Sequence, residues 1–466
     1  MGKKRTKKKR KSKTNEVIRT DVWDLRVDLV QKQQMILTVD EYRKFLKPLV
    51  LIINAQWVSL APLTATERVN VVEKMIHKTA NNLNPKHLYL QEVVNRHPSF
   101  RKFPSYLRRA AIADAIGIVS SFQTRYRDWQ SGIRARRDAK PPRLTAMCNT
   151  YPSLYKGQQV KYGLNFQTVD IKVWNGSDWV WLNGIQVKRH GGNRHLVAGN
   201  SIQSPSLVVN RKTCQLSMPV KIKKVDMKDS DHVCSVDLGI NNAATASIVG
   251  KDGTVKARKF INPARDIDHR NQRRMMIAKK SKQTASITGQ KLPIGFCKGL
   301  YRKSSNINLE ISRTVAKGIV KEALAHGVKV IVLENLAGWK AKAGKTGTLL
   351  KQKFHLWCHD KIVEIVTDRW TELGGIVQTI NPKYTSAYAF DGSGKVKRSK
   401  FNYSLAKFTT GKQYNADLSA SYNIGARYWY CVIAGDRNFS RVFVSQSSNG
   451  TLRTPVTLGT LWGLSL

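Results

Sequence analysis

Three acids in this 466-residue chain stand where an acid needs a reason. Asp237 interrupts the apolar run "CSVDLG", Glu334 closes "VKVIVLENL", and Asp417 opens the helical stretch "YNADLSASYNIGARY" behind Asn415, a candidate cap. A carboxylate inside a strand is costly to bury unless a cation or a set of donors faces it. Taken singly, each acid has an ordinary reading: an edge-strand residue, a strand-end carboxylate, and a first-turn acid that complements the helix dipole. Brought to one point they repel, and oxygen ligands of that kind suit Mg²⁺ or Mn²⁺. Two such ions roughly 4 Å apart activate a water on one side of a phosphodiester and stabilise the leaving oxygen on the other. Asp237, Glu334 and Asp417 are therefore the candidate metal ligands and catalytic residues.

Convergence depends on the elements that carry the acids. Residues 233–238, 244–249 and 254–260 read as three consecutive short strands with tight turns. A basic helical stretch, "RNQRRMMIAKKSKQ", follows, and then a helix over 307–326 with Ile311, Val315, Ile319 and Ala323 on one face, stopped by Gly327. The strand "VKVIVLENL", a helix over about 354–373 stopped at Gly374-Gly375, and the strand "IVQTIN" complete the series. Three antiparallel strands followed by alternating helix and strand is the order of a ribonuclease H-like fold. In that order Asp237 sits on the central strand and Glu334 at the carboxyl end of a parallel neighbour. The helix of Asp417 packs against the same edge, kept slim by Ala416, Ala420 and Ser421.

Charge points to the partner. Eighty Lys and Arg against 31 Asp and Glu give a net charge of +49, spread along the chain, which suits a polyanion such as an extended duplex or a folded RNA. Nine of the first thirteen residues are Lys or Arg, so residues 1–20 read as a disordered basic arm that touches phosphate or merely solvates. Between residues 66 and 132 the text is helix-rich, and Arg108, Arg109, Arg125 and Arg127 stand on or beside one helix, able to follow a phosphate backbone or simply to face water. Residues 162–189 and 204–224 alternate like strands, with turns at Asn175-Gly176-Ser177-Asp178 and Asn210-Arg211-Lys212, and together with an early strand near Val27 they suggest a small β-barrel. The six cysteines, Cys148, Cys214, Cys234, Cys297, Cys358 and Cys431, form no C-x-x-C pair, so neither a disulfide framework nor a zinc ribbon is expected. With no secretory segment and no bilayer-spanning apolar run, the expected location is cytoplasmic, at the nucleoid when bound to DNA, with no membrane partner.

The segments "VDLGINNAAT", "VIVLENLAG", "INPKYTS" and "NADLSASYNIGAR", which cover roughly the last half of the chain, resemble the transposon-encoded TnpB nucleases and the compact type V CRISPR effectors. The resemblance implies an α+β multidomain protein: a ribonuclease H-like (RuvC) nuclease domain, a β-barrel wedge domain and a helical recognition domain. It implies an RNA-guided endonuclease in which a guide RNA pairs with target DNA beside a short flanking motif. Asp237, Glu334 and Asp417 match the family's catalytic acids. The implied layout is a first wedge strand and helix at 21–65, recognition domain at 66–140, wedge at 141–228, nuclease domain at 229–380, target-strand loading loop at 381–414, and last RuvC helix with C-terminal tail at 415–466.

Family members commonly carry two C-x-x-C pairs in the loading loop, whereas residues 381–416 contain no cysteine, so no zinc is expected and packing by Tyr388, Phe390, Phe401, Tyr403 and Phe408 must hold the loop. Ser419 stands where the family often has asparagine. An A-form guide–target heteroduplex is recognised through its backbone, and the helix of Arg273, Arg274, Lys279 and Lys280 fits part of such a channel. Two other readings stay open: an RNA-guided DNA-binding protein with weak or no cleavage, acting as a repressor or targeting factor, and a general RNA-binding scaffold.

Overall fold

The structure is a computed structural model. It describes residues 15–77, 81–83, 85–86, 103–142, 149–189, 194–239, 242–336, 358–399, 402, 404–436, 438–439, 444–446 and 453–464. These fall into two compact units, residues 1–223 and 224–466.

In the first unit, strand β1 (Glu16–Arg26) leads into helix α1 (Leu29–Ala55). Asp28 fixes the start: its side chain accepts from Gln31 N while the Gln31 side chain accepts from Asp28 N, a reciprocal capping box. From sequence the apolar pattern of residues 39–57 suggests a helix, and the observed one begins ten residues before Val39 because this cap, and not the apolar stripe, decides its first turn. Helices α2 (Ala65–Ile76) and α3 (Ser105–Gln130) pack with α1 around Phe45, Leu49, Ile53, Leu107, Ile112 and Val119. Strands β2 (Val160–Tyr162), β3 (Thr168–Trp174), β4 (Trp179–Arg189), β5 (Ser201–Ile202), β6 (Ser206–Val209) and β7 (Cys214–Lys223) join β1 in one sheet of order β2-β3-β4-β1-β7-β5, with β6 also on β7. The early strand thus lies centrally, and it starts at Glu16, so residues 16–20 are not part of a disordered arm as expected: beyond the basic run they pair with β7. Among the described residues no ladder closes β2 onto β5, so the sheet is a half-barrel. Met35 and Val39 of α1 join the core that holds Ile171 and Val173 of β3, so a helix rather than further strand pairing covers these apolar side chains.

The second unit holds the acids. Strands β8 (His232–Asp237), β9 (Ala244–Gly250) and β10 (Val255–Ile261) form the expected antiparallel meander. Helices α4 (Ala264–Thr288) and α5 (Lys298–Ala325) follow, then β11 (Val330–Glu334), α6 (His359–Glu372) and β12 (Ile376–Ile380). The sheet order is β10-β9-β8-β11-β12, with β11 parallel to both β8 and β12. Helix α5 starts nine residues before the expected Ile307 because "KGLYRKSS" carries no apolar stripe to mark it; Cys297, at a left-handed φ of 56°, precedes its first turn. The expected start of α6 near residue 354 lies outside the described residues.

Strand alternation sorts this sheet into two faces. Cys234, Val236, Ala246, Ile248, Ile331 and Leu333 pack with Ile311, Val315 and Ile319 of α5 and Ile362, Val366 and Trp370 of α6. Val233, Val249, Val332 and Ile380 point the other way, into a core with Tyr422, Ile424 and Trp429 of the long helix α7 (Ala416–Ile433). Between β12 and α7 lies a small antiparallel sheet of β13 (Lys397–Arg398), β14 (Leu405–Lys407) and β15 (Gln413–Asn415). After α7 the chain forms the pair β16 (Val444–Gln446) and β17 (Arg453–Pro455), and returns in helix α8 (Leu458–Leu464), whose Leu458 and Leu461 are buried in the α7 core. No described helix is long and apolar enough to cross a membrane.

Candidate active site

Asp237 is the last residue of β8, opposite Thr245 of β9, and Glu334 is the last residue of β11. In the parallel ladder Val236 pairs with Leu333, so the two acids are the next step of the same register. Alternation then turns both onto the α7 face, since Val236 and Leu333 belong to the opposite core. Two acids far apart in sequence therefore finish neighbouring strands on one side of one sheet.

Helix α7 brings the third. Asn415 caps it, its Oδ1 accepting from Asp417 N and Leu418 N at 3.0 Å each. Asp417, Ser421 and Gly425 recur every fourth residue, which aligns them in one stripe on the helix. Ser421 Oγ lies 2.6 Å from Ser247 Oγ, and Ser235 Oγ donates to Ser247 O at 3.2 Å, so the stripe rests on β8 and β9. Gly425 permits the approach: a Cβ there would stand 2.8 Å from Val249 Cβ and 3.0 Å from Ser235 Oγ. One turn before Ser421, Asp417 reaches the strand ends, where Asn242 Nδ2 donates to its Oδ2 at 3.2 Å.

The electrostatics record the convergence. Burial raises the Asp237 carboxyl well above the ordinary carboxylate range, the charges of Glu334 and Asp417 raise it further, and Arg398 opposes them. Burial also raises Glu334, which is 7% exposed, against the hydrogen bond from Thr385 and the charge of Arg427. Carboxylates that repel and are kept from water favour a cation among them. The donors fit a hard divalent ion: all are oxygens, and Thr245 Oγ1, on the α7 face opposite Asp237, is buried without a hydrogen-bond partner among the described residues. Among the described residues no three Asp, Glu, His or Cys side chains already close into a ligand cage. Asp237, Glu334 and Asp417 would hold the ion, with Thr245 beside them.

Sequence reasoning passed over Thr245, Asn242 and Thr385. Thr385 lies in the "INPKYTS" stretch, but no periodicity marks its hydroxyl as the partner of Glu334, whose Oε1 it meets at 2.5 Å. Of the rings expected to hold residues 381–414, Phe390 and Phe408 do pack together: Phe390 contacts Phe408 at 5.6 Å, Tyr414 at 4.9 Å and Tyr422 at 5.3 Å between centroids. Tyr388 contacts Tyr384 instead, and Phe401 and Tyr403 lie outside the described residues. Ser419 has a structural use, since its Oγ accepts from Phe390 N at 3.1 Å and ties this region to α7.

The basic residues named from sequence divide by what they touch. Arg108 and Arg109 both pair with Glu73, at 3.2 and 2.6 Å. Arg125 is half-buried, its Nε donating to Ser121 O, while Arg127 is exposed. On α4, Arg273 reaches His269, and Arg274 donates to Ser304 Oγ and lies over the Tyr301 ring. Lys279 and Lys280 stand in solvent.

With this geometry in view, residues 19–175 match the Aq_aa04 family. A stretch of 222 residues is 29% identical to the TnpB-like protein aq_aa05 of Aquifex aeolicus (strain VF5), covering 45% of this chain and 70% of that protein. The chain resembles the TnpB-like proteins. Among known structures, the Cas12f1–sgRNA–target DNA complex is similar with a TM-score of 0.46 and 12% identity, covering 88% of this chain and 99% of that one. The AacC2c1–sgRNA binary complex is similar with a TM-score of 0.42 and 13% identity, covering 85% and 70%. The TnpB-like resemblance agrees with the family expected from the sequence segments around the three acids.

Proposed function

We propose that this chain is an RNA-guided DNA endonuclease that hydrolyses phosphodiesters at a RuvC-like site formed by Asp237, Glu334 and Asp417. The observation that carries the reading is the shared face: Asp237 and Glu334 end adjacent parallel strands in register, and the stripe of Asp417, Ser421 and Gly425 runs a third acid onto that face. When bound there, Mg²⁺ or Mn²⁺ supplies activation of the attacking water and neutralisation of the leaving oxygen. The chain's own part is to hold three carboxylates, with Asn242 fixing one oxygen of Asp417 and Thr385 one oxygen of Glu334. The sheet and α7 exclude water from behind them, which strengthens every charge interaction in the site.

A guide RNA and a target DNA are the partners that fit the surplus of 49 positive charges, because a heteroduplex is held by its backbone and needs many cations and no base code. The similarity to a TnpB-like protein supports that class. In this reading the recognition and wedge functions belong to the first unit, and cleavage and strand loading to the second. Exposed Arg127, Lys279 and Lys280 are the first of the named cations to assign to phosphate contacts.

The test is cleavage, in Mg²⁺, of a plasmid library with a randomised flank by the protein and its co-expressed RNA, beside Asp237→Ala. Guide-dependent cuts next to an enriched flanking motif, absent in the variant, are expected. Guided binding without cuts in the parent protein would contradict the nuclease reading.

A further inference from the structure

Resting on that reading, we propose that Thr385 is a positioning residue for the Glu334 carboxylate, held in turn by α7 and the returning C-terminal segment. Thr385 is 2% exposed, and its Oγ1 lies 2.5 Å from Glu334 Oε1, within the range of a hydroxyl donating to a carboxylate. The hydroxyl has one proton and a second acceptor, the Pro382 carbonyl at 2.9 Å; the charged oxygen is the stronger acceptor. One oxygen of Glu334 is thereby fixed, leaving the other to face the site.

The turn that presents Thr385 is not left to itself. Tyr384, immediately before it, has a φ of 70°, a left-handed conformation that a bulky side chain keeps only where its surroundings impose it. Two buried side chains of α7, four residues apart, impose it. Asn423 Nδ2 donates to Thr385 O and to Tyr388 O, both at 3.0 Å. Arg427 Nη1 donates to Asn381 O at 3.2 Å and Lys383 O at 2.7 Å. Both side chains also fasten the C-terminal segment: Leu458 N donates to Asn423 Oδ1 at 3.2 Å, and Arg427 Nε donates to Val456 O at 3.3 Å. Arg427 is fully buried, an expensive location for a guanidinium; these carbonyls satisfy its Nε and Nη1, while Nη2 has no hydrogen-bond partner among the described residues. So the helix that presents Asp417 also grips the turn that orients Glu334, and the chain beyond α7 closes the grip. Hydrogen bonds behind a ligating carboxylate set its orientation, and their loss typically weakens metal affinity or activity about 10–100-fold.

The experiment compares Thr385→Val, nearly isosteric but without the hydroxyl, and Thr385→Ser, which keeps it, in the guide-loaded full chain. Mn²⁺ affinity is read by titration calorimetry, beside melting temperature, guided DNA binding and single-turnover cleavage. The expected result is Mn²⁺ binding and cleavage reduced about 10–100-fold in Thr385→Val, with guided DNA binding and melting temperature unchanged and Thr385→Ser close to the parent. If Thr385→Val melts early, Thr385→Ala, which also lacks the hydroxyl but adds no buried methyl, is read in its place. Parent-like Mn²⁺ affinity in the variants without a hydroxyl, or an equal loss in Thr385→Ser, overturns the proposal. A parent protein that neither binds Mn²⁺ nor cuts overturns the nuclease reading itself, and the role of Thr385 with it.

Discussion

Asp237 carries a charge that its surroundings resist. Burial and the two neighbouring acids hold its carboxyl well above its ordinary value of 3.8, so over the interval between that value and the raised one the folded chain binds more protons than the unfolded chain. Stability contributed by protonated Asp237 is thus present at low pH and is lost as pH rises through the interval. In chelator, Asp237→Asn should therefore gain stability over the parent as pH rises, and the gap should close toward acid; melting curves of both proteins across about pH 4 to 8 check it. A gap constant with pH would contradict the assignment of repulsion to this residue. Glu334 differs from Asp237 in having its own helpers, since the Thr385 hydroxyl and the Arg427 charge both oppose its burial. Arg427 shows the reciprocal effect: desolvation pushes its pKa down to about 10 against the attraction of Glu334.

Helix α7 does more positional work than any other element of the site. Its small residues let Asp417 approach β8 and β9, and Gly425 is the tightest point, because Val249 Cβ is fixed to the backbone of β9 and has no rotamer that moves it away. Gly425→Val gains roughly 0.4 kcal/mol of helix propensity but overpacks the contact by about 1–3 kcal/mol. A net loss of stability is expected, read as a lower denaturant midpoint, together with slower cleavage as Asp417 is displaced. An unchanged midpoint would mean that the helix does not bear on the sheet there. Strands β8 to β12 and helices α5, α6 and α7 were legible in outline because apolar periodicity and glycine stops are local: Gly327 ends α5 one residue beyond its C-cap, and Asn415 caps α7 where it was expected. Asp237 and Glu334 were legible as candidates because a strand acid is conspicuous among apolar neighbours, and Asp417 because Asn415 marks a helix start just before it. The clamp of Thr385, Asn423 and Arg427 was not, since it joins residues 35 to 46 positions apart through carbonyls, which leave no side-chain pattern. The segment after Arg427, which the sequence offers only as a tail, is tied to α7 partly in the same way, through Val456 O and Leu458 N, besides the buried Leu458 and Leu461.

At the scale of the whole molecule, charge and topology are separate instructions. The net charge of +49 selects a polyanion without saying what is done to it, and it leaves a nuclease, a guided binder and an RNA scaffold equally charged. The folding of the second unit supports the proposed nuclease among them, by bringing the ends of β8 and β11 and the first turn of α7 to one face. If those three acids act as one unit, their losses should not add, because once any ligand is gone the others hold no productive site. The most direct test is single-turnover cleavage of one matched target by the guide-loaded parent, Asp237→Asn, Glu334→Gln, Asp417→Asn and the triple variant, with guided DNA binding measured alongside. The account predicts that each single variant binds like the parent and is slowed by at least about 100-fold, and that the triple variant is hardly slower than the worst single. Cleavage within a few-fold of the parent in any one of the three would contradict it.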